Sequence, residues 1–296
     1  MSVRTYNPSV RVGNWNEDIQ LEEDTLKDFL QKRESGELLY QKRTKLEQTI
    51  FKKIDLSISR DGLVHFGDKV NIRCPAALDR TQYFAHKDPR NECNLAVVPQ
   101  INKILYSNKF EGPCSVTGCR EVAANLRSTF VIKSPDGIPD GEPLRYGQVF
   151  YLCTMDDEGG NLYLHSDRVS LHKSPNKSRH QEVSLVCEPS FLTEWKILHI
   201  KPKLRMEYEG IPVPANCKII FHHVKTGQNL SVEEEFCIRT SFGTREYEIS
   251  SHTYLDSHRA DMEQNHWQIV MGVPGDEVYP VTFPSSGTAS TTTGTS

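Results

Sequence analysis

Asn216-Cys217-Lys218-Ile219-Ile220-Phe221 reads as an opening strand, Lys225-Thr226-Gly227-Gln228-Asn229-Leu230 as a polar turn with a second short strand, and His266-Trp267-Gln268-Ile269-Val270 as an apolar plug. The same order recurs upstream. Tyr146-Gly147-Gln148-Val149-Phe150-Tyr151-Leu152 opens, Gly160-Asn161-Leu162-Tyr163-Leu164 makes the second strand, and Glu194-Trp195-Lys196-Ile197-Leu198 closes. Further back, Phe66-Gly67-Asp68-Lys69-Val70-Asn71-Ile72 opens and Thr129-Phe130-Val131-Ile132 closes. The plugs Phe130, Trp195 and Trp267 stand 65 and 72 positions apart. One unit of short strands cannot bury its apolar face alone, so copies pack around a shared core. Three such units, each with a buried aromatic, describe a mainly β chain folded as a β-trefoil. The alternative, a β-sandwich with coincidental tryptophan spacing, does not account for the repeated order of strand, turn and plug. From Gly67 to Phe130 is 63 positions, from Gly147 to Trp195 is 48 and from Asn216 to Trp267 is 51. The first unit therefore carries an insertion, expected within residues 76–125.

The flanks have a different character. Residues 1–20 read as an extended arm, because Pro8 and Gly13 disfavour helix. Residues 21–54 read as two short helices. Leu26, Phe29 and Leu30 fall at i, i+3 and i+4 with charges between them, and Gly36 supplies the stop. The second run, Glu37 to Ile54, places Leu39, Lys42, Leu46 and Ile50 near one face, and Lys42, Arg43, Lys45, Lys52 and Lys53 make it basic. The trefoil is expected over residues 55–275. It would begin with the alternating stretch Ile54-Asp55-Leu56-Ser57-Ile58 and a hairpin turn at Arg60-Asp61-Gly62. Pro135 to Gly141 reads as two tight turns rather than a calcium loop, which would need a terminal glutamate. The Ser/Thr/Gly-rich tail, residues 276–296, is expected to be disordered.

Charge and composition narrow the function. With 35 basic and 39 acidic residues the net charge is −4, which argues against a general nucleic-acid binder. No apolar run approaches the roughly 18 residues needed to span a bilayer. No apolar leader follows Met1, so a reducing cytosolic environment is the expectation. The eight cysteines are then thiols. Cys153, Cys187, Cys217 and Cys237 alternate with apolar residues and suit small buried hydrophobes. Cys114 and Cys119 have no second pair to complete a zinc site. His222, His223, His252, His258 and His266 are spaced for no single helix face and are read as exposed or hydrogen-bonded. Asp256 with His258 lacks a nucleophile. There is no nucleophile elbow and no phosphate-cradling glycine loop. No enzyme, cofactor or metal is expected. Sugar-binding trefoils carry Gln-x-Trp, and here Thr193 and Asn265 stand in the glutamine position. Lys173, Lys177 and Arg179 form a weak basic cluster for a phosphate.

Leads for partner binding lie in the N-terminal flank. Tyr6 and Trp15 bracket an arm containing Pro8, Val10, Arg11 and Val12, and tyrosine and tryptophan are efficient interface anchors. The arm could equally bury Trp15 in its own domain. The basic run around Lys42, Arg43 and Lys45 suits an acidic surface such as a microtubule, or simply a solvated face.

The repeats from Tyr146 to Ile197 and from Val213 to Ile269 resemble the MIR-type β-trefoils of inositol-trisphosphate and ryanodine receptors. A more extensive resemblance covers nearly the whole chain. Asn7-Pro8-Ser9-Val10-Arg11-Val12-Gly13-Asn14-Trp15-Asn16-Glu17-Asp18, Leu144-Arg145-Tyr146-Gly147-Gln148, Leu204 through Asn216, and His252-Thr253-Tyr254-Leu255-Asp256-Ser257-His258-Arg259 with Asn265-His266-Trp267 resemble the cilia- and flagella-associated protein 161 family. Residues 76–125 and the tail do not share it. The resemblance implies a non-enzymatic microtubule inner protein of the ciliary or flagellar axoneme. Such a protein lies in the A-tubule lumen of doublet microtubules, binds α/β-tubulin and neighbouring inner proteins, and stabilises the doublet for motility. It implies neither nucleic acid nor membrane as partner. The alternative is a soluble trefoil that binds a phosphoinositide or a peptide.

Overall fold

A computed structural model describes residues 15–75, 92–99, 109–156, 159–170, 177–240 and 242–274. Its described residues contain twelve strands. The first unit supplies β1 (Lys69–Cys74), β2 (Cys93–Val98), β3 (Cys114–Cys119) and β4 (Thr129–Lys133). The second supplies β5 (Val149–Thr154), β6 (Tyr163–Ser166), β7 (Gln181–Val186) and β8 (Trp195–Leu198). The third supplies β9 (Lys218–His223), β10 (Leu230–Arg239), β11 (Arg245–Ser251) and β12 (Trp267–Val270). The first and last strands of each unit pair in the cycle β1–β4–β5–β8–β9–β12–β1, which closes a six-stranded antiparallel barrel. The middle strands form three hairpins, and β3, β7 and β11 pair with one another in a triangle that caps it. A closed barrel under a triangular hairpin cap is the β-trefoil.

The repeat written in the sequence is a backbone requirement. Gly67, Gly147 and Asn216, which start the three units, are all left-handed, with φ of 84°, 79° and 58°. Glycine has no Cβ to clash in this region, and asparagine is among the side chains that tolerate it best. Each donates its N–H to the residue two beyond a plug: Gly67 to the Ile132 carbonyl, Gly147 to Ile197 and Asn216 to Ile269. At the threefold axis Val64 donates to Val213, Val213 to Leu144 and Leu144 to Val64, at 3.0, 2.8 and 2.8 Å. All three are fully buried, so the ring satisfies three amides that water cannot reach.

The plugs Phe130, Trp195 and Trp267 are buried without measurable exposure. A buried indole needs a partner for its N–H. Trp195 Nε1 donates to the Leu164 carbonyl and Trp267 Nε1 to the Leu230 carbonyl, each at 2.9 Å. Each bond ties a barrel strand to its own unit's hairpin.

Several sequence expectations change at the edges. The stretch Ile54–Ile58 is not a regular strand. Ile58 makes one bridge to Gly272, while Ser57 and Ser59 exchange backbone hydrogen bonds with that glycine, strapping the segment across the barrel edge. Arg60-Asp61-Gly62 turns without forming a hairpin, because Asp61 Oδ1 accepts the Leu63 N–H and Leu63 then bridges Pro214. In the third unit Lys225–Gly227 is the turn itself and the strand starts at Leu230. In the second, left-handed Gly160 and Asn161 delay the strand to Tyr163. Most of the extra length of the first unit lies between Cys74 and Cys93, against the short spans Thr154 to Tyr163 and His223 to Leu230.

Helix α1 spans Trp15–Glu34, so it begins six residues before the expected Leu21 and takes in the C-terminal part of the expected arm. Glu17 and Asp18 in its first turn are favoured there by the positive end of the helix dipole. Gly36, left-handed at φ 74°, ends it as expected. Helix α2 spans Leu39–Ile50 and stops four residues short of the expected Ile54, because Lys53 turns to bridge Asn125. The tail expected to be disordered, residues 276–296, lies outside the described residues.

Candidate functional site

Helices α1 and α2 sit differently on the trefoil. The C-terminal end of α2 is built into the core. Ile50 is fully buried and its carbonyl accepts the Arg127 N–H, Leu126 N–H donates to Lys52, and the Phe51 ring meets Phe242 edge-on at 5.6 Å. Helix α1 is joined to α2 through its end, where Gln41 Nε2 donates to the Arg33 carbonyl and Glu37 N–H to the Lys32 carbonyl. From Glu17 onward every residue of α1 is exposed. Four of its apolar positions nevertheless fall on one side, while Leu21, 66 % exposed, lies on the opposite one. Ile19, Leu26, Phe29 and Leu30, exposed by 47, 59, 46 and 38 %, repeat at i, i+7, i+10 and i+11. The other sides carry ion pairs, Lys27 with Glu23 and Asp24, and Lys32 with Asp28. An amphipathic helix whose apolar stripe meets solvent has the pattern of helices that lie in a partner's groove, which makes α1 the candidate site.

The partner-binding residues expected from the sequence fare unevenly. Tyr6, Pro8, Val10, Arg11 and Val12 lie outside the described residues. Trp15 opens α1 instead of ending an extended arm. Arg43 and Lys45 are exposed on α2 and Lys42 is half-buried, with Arg43 Nε 2.9 Å from Glu47. The basic run is therefore interleaved with its own carboxylate.

The other candidate residues have structural partners. His222 lies 2.7 Å from Asn229 Oδ1, and burial lowers its pKa. His223 bridges Thr226 and the Leu192 carbonyl, and burial lowers it likewise. His252 stacks on His180 with ring centres 4.0 Å apart, and its pKa falls through burial and the neighbouring imidazole. Asp256 Oδ1 accepts the N–H groups of His258 and Ala260, so the pair forms a turn. Among the described residues no three His, Cys, Asp or Glu side chains converge as a metal site. Lys177 donates to the Cys237 carbonyl and does not join Arg179 in an anion site; Lys173 lies outside the described residues. None of the eight cysteines forms a disulfide. Cys153 is buried, and burial pushes its thiol up to about 12. Cys187 and Cys217 are exposed and Cys237 half-buried, contrary to the expected burial, because the first two follow or precede a strand.

Two features of the cap were not read from the sequence. Arg127 and Glu246, each 1 % exposed, form a two-pronged ion pair at 2.8 and 2.6 Å that ties the start of β4 to β11. Burial opposes the charge on Glu246, but the Arg127 fork and hydrogen bonds from Thr117 and Thr244 outweigh it and hold the carboxyl below its usual range. The second is Glu233, 2 % exposed, which accepts from Tyr254 Oη at 2.7 Å and lies 2.8 Å from His180 Nδ1. The only sequence signal was the run Glu233-Glu234-Glu235, which breaks the alternation of a strand.

The family model described as "Cilia- and flagella-associated protein 161-like domain" matches residues 42–272. Three proteins called cilia- and flagella-associated protein 161 are similar over 93 % of the chain. That of Danio rerio is 41 % identical across 91 % of its own length, that of Bos taurus 42 % across 84 %, and that of Mus musculus 42 % across 90 %. Among solved structures, an SDF2-like protein from Arabidopsis thaliana aligns with 72 % of this chain and 99 % of its own, at 17 % identity and a TM-score of 0.47. A Caenorhabditis elegans protein described as of unknown function aligns over the same shares, at 16 % identity and 0.48. From the match over 42–272 and these full-length relatives, the chain belongs to the cilia- and flagella-associated protein 161 family.

Proposed function

We propose that this protein is a non-enzymatic structural component of cilia and flagella. It acts as a microtubule inner protein in the A-tubule lumen of axonemal doublets, bound to α/β-tubulin and neighbouring inner proteins. The names of its relatives support the ciliary part of this reading. The observation that supports the rest is the uncovered stripe Ile19, Leu26, Phe29 and Leu30 on a helix joined end-on to a rigid trefoil. The trefoil is the block and α1 is the strap. Burying the stripe in an apolar groove of the tubulin wall or of a neighbouring inner protein would contribute roughly 25 cal/mol per Å² of apolar surface. Axoneme fractionation tests this. The wild-type chain stays through high-salt extraction and leaves when detergent opens the doublets. A Leu26→Asp, Phe29→Asp chain appears in the salt extract with its fold intact. Release of the wild-type chain into the soluble or membrane fraction would overturn the luminal assignment and return the trefoil to the phosphoinositide- or peptide-binding class.

A further inference from the structure

Three Asp-Gly pairs stand in turns of the chain: Asp61-Gly62, Asp136-Gly137 and Asp140-Gly141. All three glycines are left-handed, with φ of 78°, 72° and 94°. An aspartate followed by glycine carries a chemical weakness. With no side chain on the next residue to obstruct it, the glycine nitrogen can reach the aspartate Cγ and close a five-membered succinimide ring. The N–Cγ bond forms, the Cγ–O bond of the protonated carboxyl breaks, and the hydroxyl leaves with the amide proton as water. Water then opens the ring at either carbonyl. Opening at Cγ restores aspartate. Opening at the main-chain carbonyl gives isoaspartate, whose backbone runs through Cβ and Cγ and whose α-carboxylate is released. Only water enters, and the mass of the chain is unchanged.

The fold treats the three pairs differently. Ring closure needs a carboxyl that can take a proton and swing onto the glycine nitrogen, and an amide that can give a proton up. At Asp61 the carboxylate is held. Oδ1 accepts the Leu63 N–H at 3.1 Å and the Ser59 hydroxyl at 3.4 Å, and Oδ2 lies 3.1 Å from His65 Nε2. The Leu63 N–H keeps this carboxyl below its usual range, in the ionised form that cannot lose hydroxyl as water. At Asp140 the nucleophile is held instead, because the Gly141 N–H donates to the Phe66 carbonyl at 2.9 Å. Asp136 and Gly137 are both exposed and escape both restraints. Asp136 N–H donates to Ser134 Oγ at 3.1 Å, and among the described residues neither the Asp136 carboxylate nor the Gly137 N–H is bonded. Gly137 is surrounded by open space, where an added Cβ would meet nothing within 4 Å.

We propose that Asp136 is a modification site, the aspartate at which the folded chain isomerises, and that the isoaspartyl carboxylate it leaves is a substrate for enzymatic carboxyl methylation. In that second step a methyl group passes from a sulfonium donor to a carboxylate oxygen, forming an ester and leaving a thioether. The isomerised backbone gains one carbon between Ser134 and Ile138, in the link from β4 to β5, and Ile138 is packed against the core. The displacement therefore falls between the first and second units. The site does not depend on the α1 stripe or on any ciliary partner, so either reading can fail without the other.

Ageing the full chain at physiological temperature and neutral pH, beside the same chain in denaturant, tests this. Peptide mapping with electron-transfer fragmentation separates isoaspartate from aspartate of equal mass. In denaturant the three Asp-Gly pairs should isomerise at comparable rates, because each has the same local chemistry. In the folded chain Asp136 should convert roughly tenfold faster than Asp61 or Asp140, the rate factor of about one hydrogen bond that the other two must give up. An isoaspartyl methyltransferase supplied with labelled S-adenosylmethionine should then methylate the aged chain. Asp136→Glu, whose longer side chain would have to close a six-membered ring, should remove most of that label. Conversion of Asp136 no faster than that of Asp61 or Asp140 in the folded chain would overturn the assignment, as would label unchanged by Asp136→Glu. Absence of label on a chain shown to be isomerised at Asp136 would overturn the methylation step.

Discussion

The trefoil and helix α1 are both patterned in apolar residues, yet one pattern is closed and the other open. In the barrel, Phe130, Trp195 and Trp267 leave no exposed area, and even the indole N–H groups are spent within the fold. On α1, Ile19, Leu26, Phe29 and Leu30 keep a spacing as regular as any core helix and meet solvent. Periodicity shows that a face is meant to be buried; it does not say against what. The same class of residue therefore stabilises the fold in one region and is left exposed in the other.

The sharpest way to break this comparison is to cut the closed region. Trp267→Ala removes a fully buried indole and one of the two side-chain donors to the Leu230 carbonyl, and should cost about 3–5 kcal/mol. A comparable loss is expected from Glu246→Ala, which leaves the Arg127 guanidinium buried and unpaired, again about 3–5 kcal/mol. Replacing both partners, Arg127→Met with Glu246→Leu, should recover most of it, because an ion pair this deep gains little over an apolar pair of its size. Chemical denaturation of the three variants measures these differences. A Glu246→Ala chain as stable as wild type would show that water reaches Arg127 and that the cap is open.

A smaller effect separates the three units. Gly67→Ala forces a Cβ into left-handed backbone and against Asp140 Cγ at 2.7 Å. Asp140 Cβ, at 2.9 Å, cannot leave by a rotamer change, so the Asp140 backbone must shift as well and the cost should exceed the roughly 1–2 kcal/mol of the left-handed backbone alone. Gly67→Asn should cost less, since Asn216 occupies the equivalent place in the third unit. If alanine and asparagine are equally tolerated, the left-handed start is not what spaces the repeat.

This is also where sequence and structure part company. The starts and ends of the units were legible, because left-handed turns and aromatic plugs draw on few residue types. The stop at Gly36 was legible for the same reason, and Leu26, Phe29 and Leu30 of the α1 stripe were legible from their spacing, whereas Ile19 fell within the expected arm. The strap at Ile54–Ile58 was not, because alternation is satisfied by two exchanged hydrogen bonds as well as by a full ladder. Nor was the Arg127–Glu246 pair, 119 positions apart, since buried and solvated charges look alike in a sequence. The buried Glu233 was visible only as a break in alternation, and its partners, His180 and Tyr254, come from other parts of the chain.

Acid should weaken the closed region in two stages. His222, His223, His252 and His266 all have lowered pKa values, burial being the largest cause in each. Their unfolded forms take up protons before the folded ones do, so stability is full above the ordinary imidazole value, about 6.5, and declines as pH falls below it. Glu246 acts at lower pH. Its lowered folded pKa gives stability that is present above the ordinary carboxylate value and lost as pH drops through the folded one. Thermal melts between neutral and acid pH should show a first decline below about pH 6.5. A flat profile there would mean that these imidazoles are solvated.

The smallest expected effect on stability is the most informative about α1. Leu26→Asp with Phe29→Asp changes two large apolar side chains, which in a core would each cost several kcal/mol. On a helix that is exposed among the described residues, the change should stay within about 0.5 kcal/mol, because Leu26 and Phe29 are largely hydrated already. Melting temperature and axoneme retention, measured on the same variant, then answer different questions. If the melt is unchanged and retention is lost, the stripe belongs to the partner. If the melt falls by several degrees, α1 folds back on its own trefoil in solution and the open face is closed by the chain itself. The comparison between the two regions would then reduce to one between two parts of a single core.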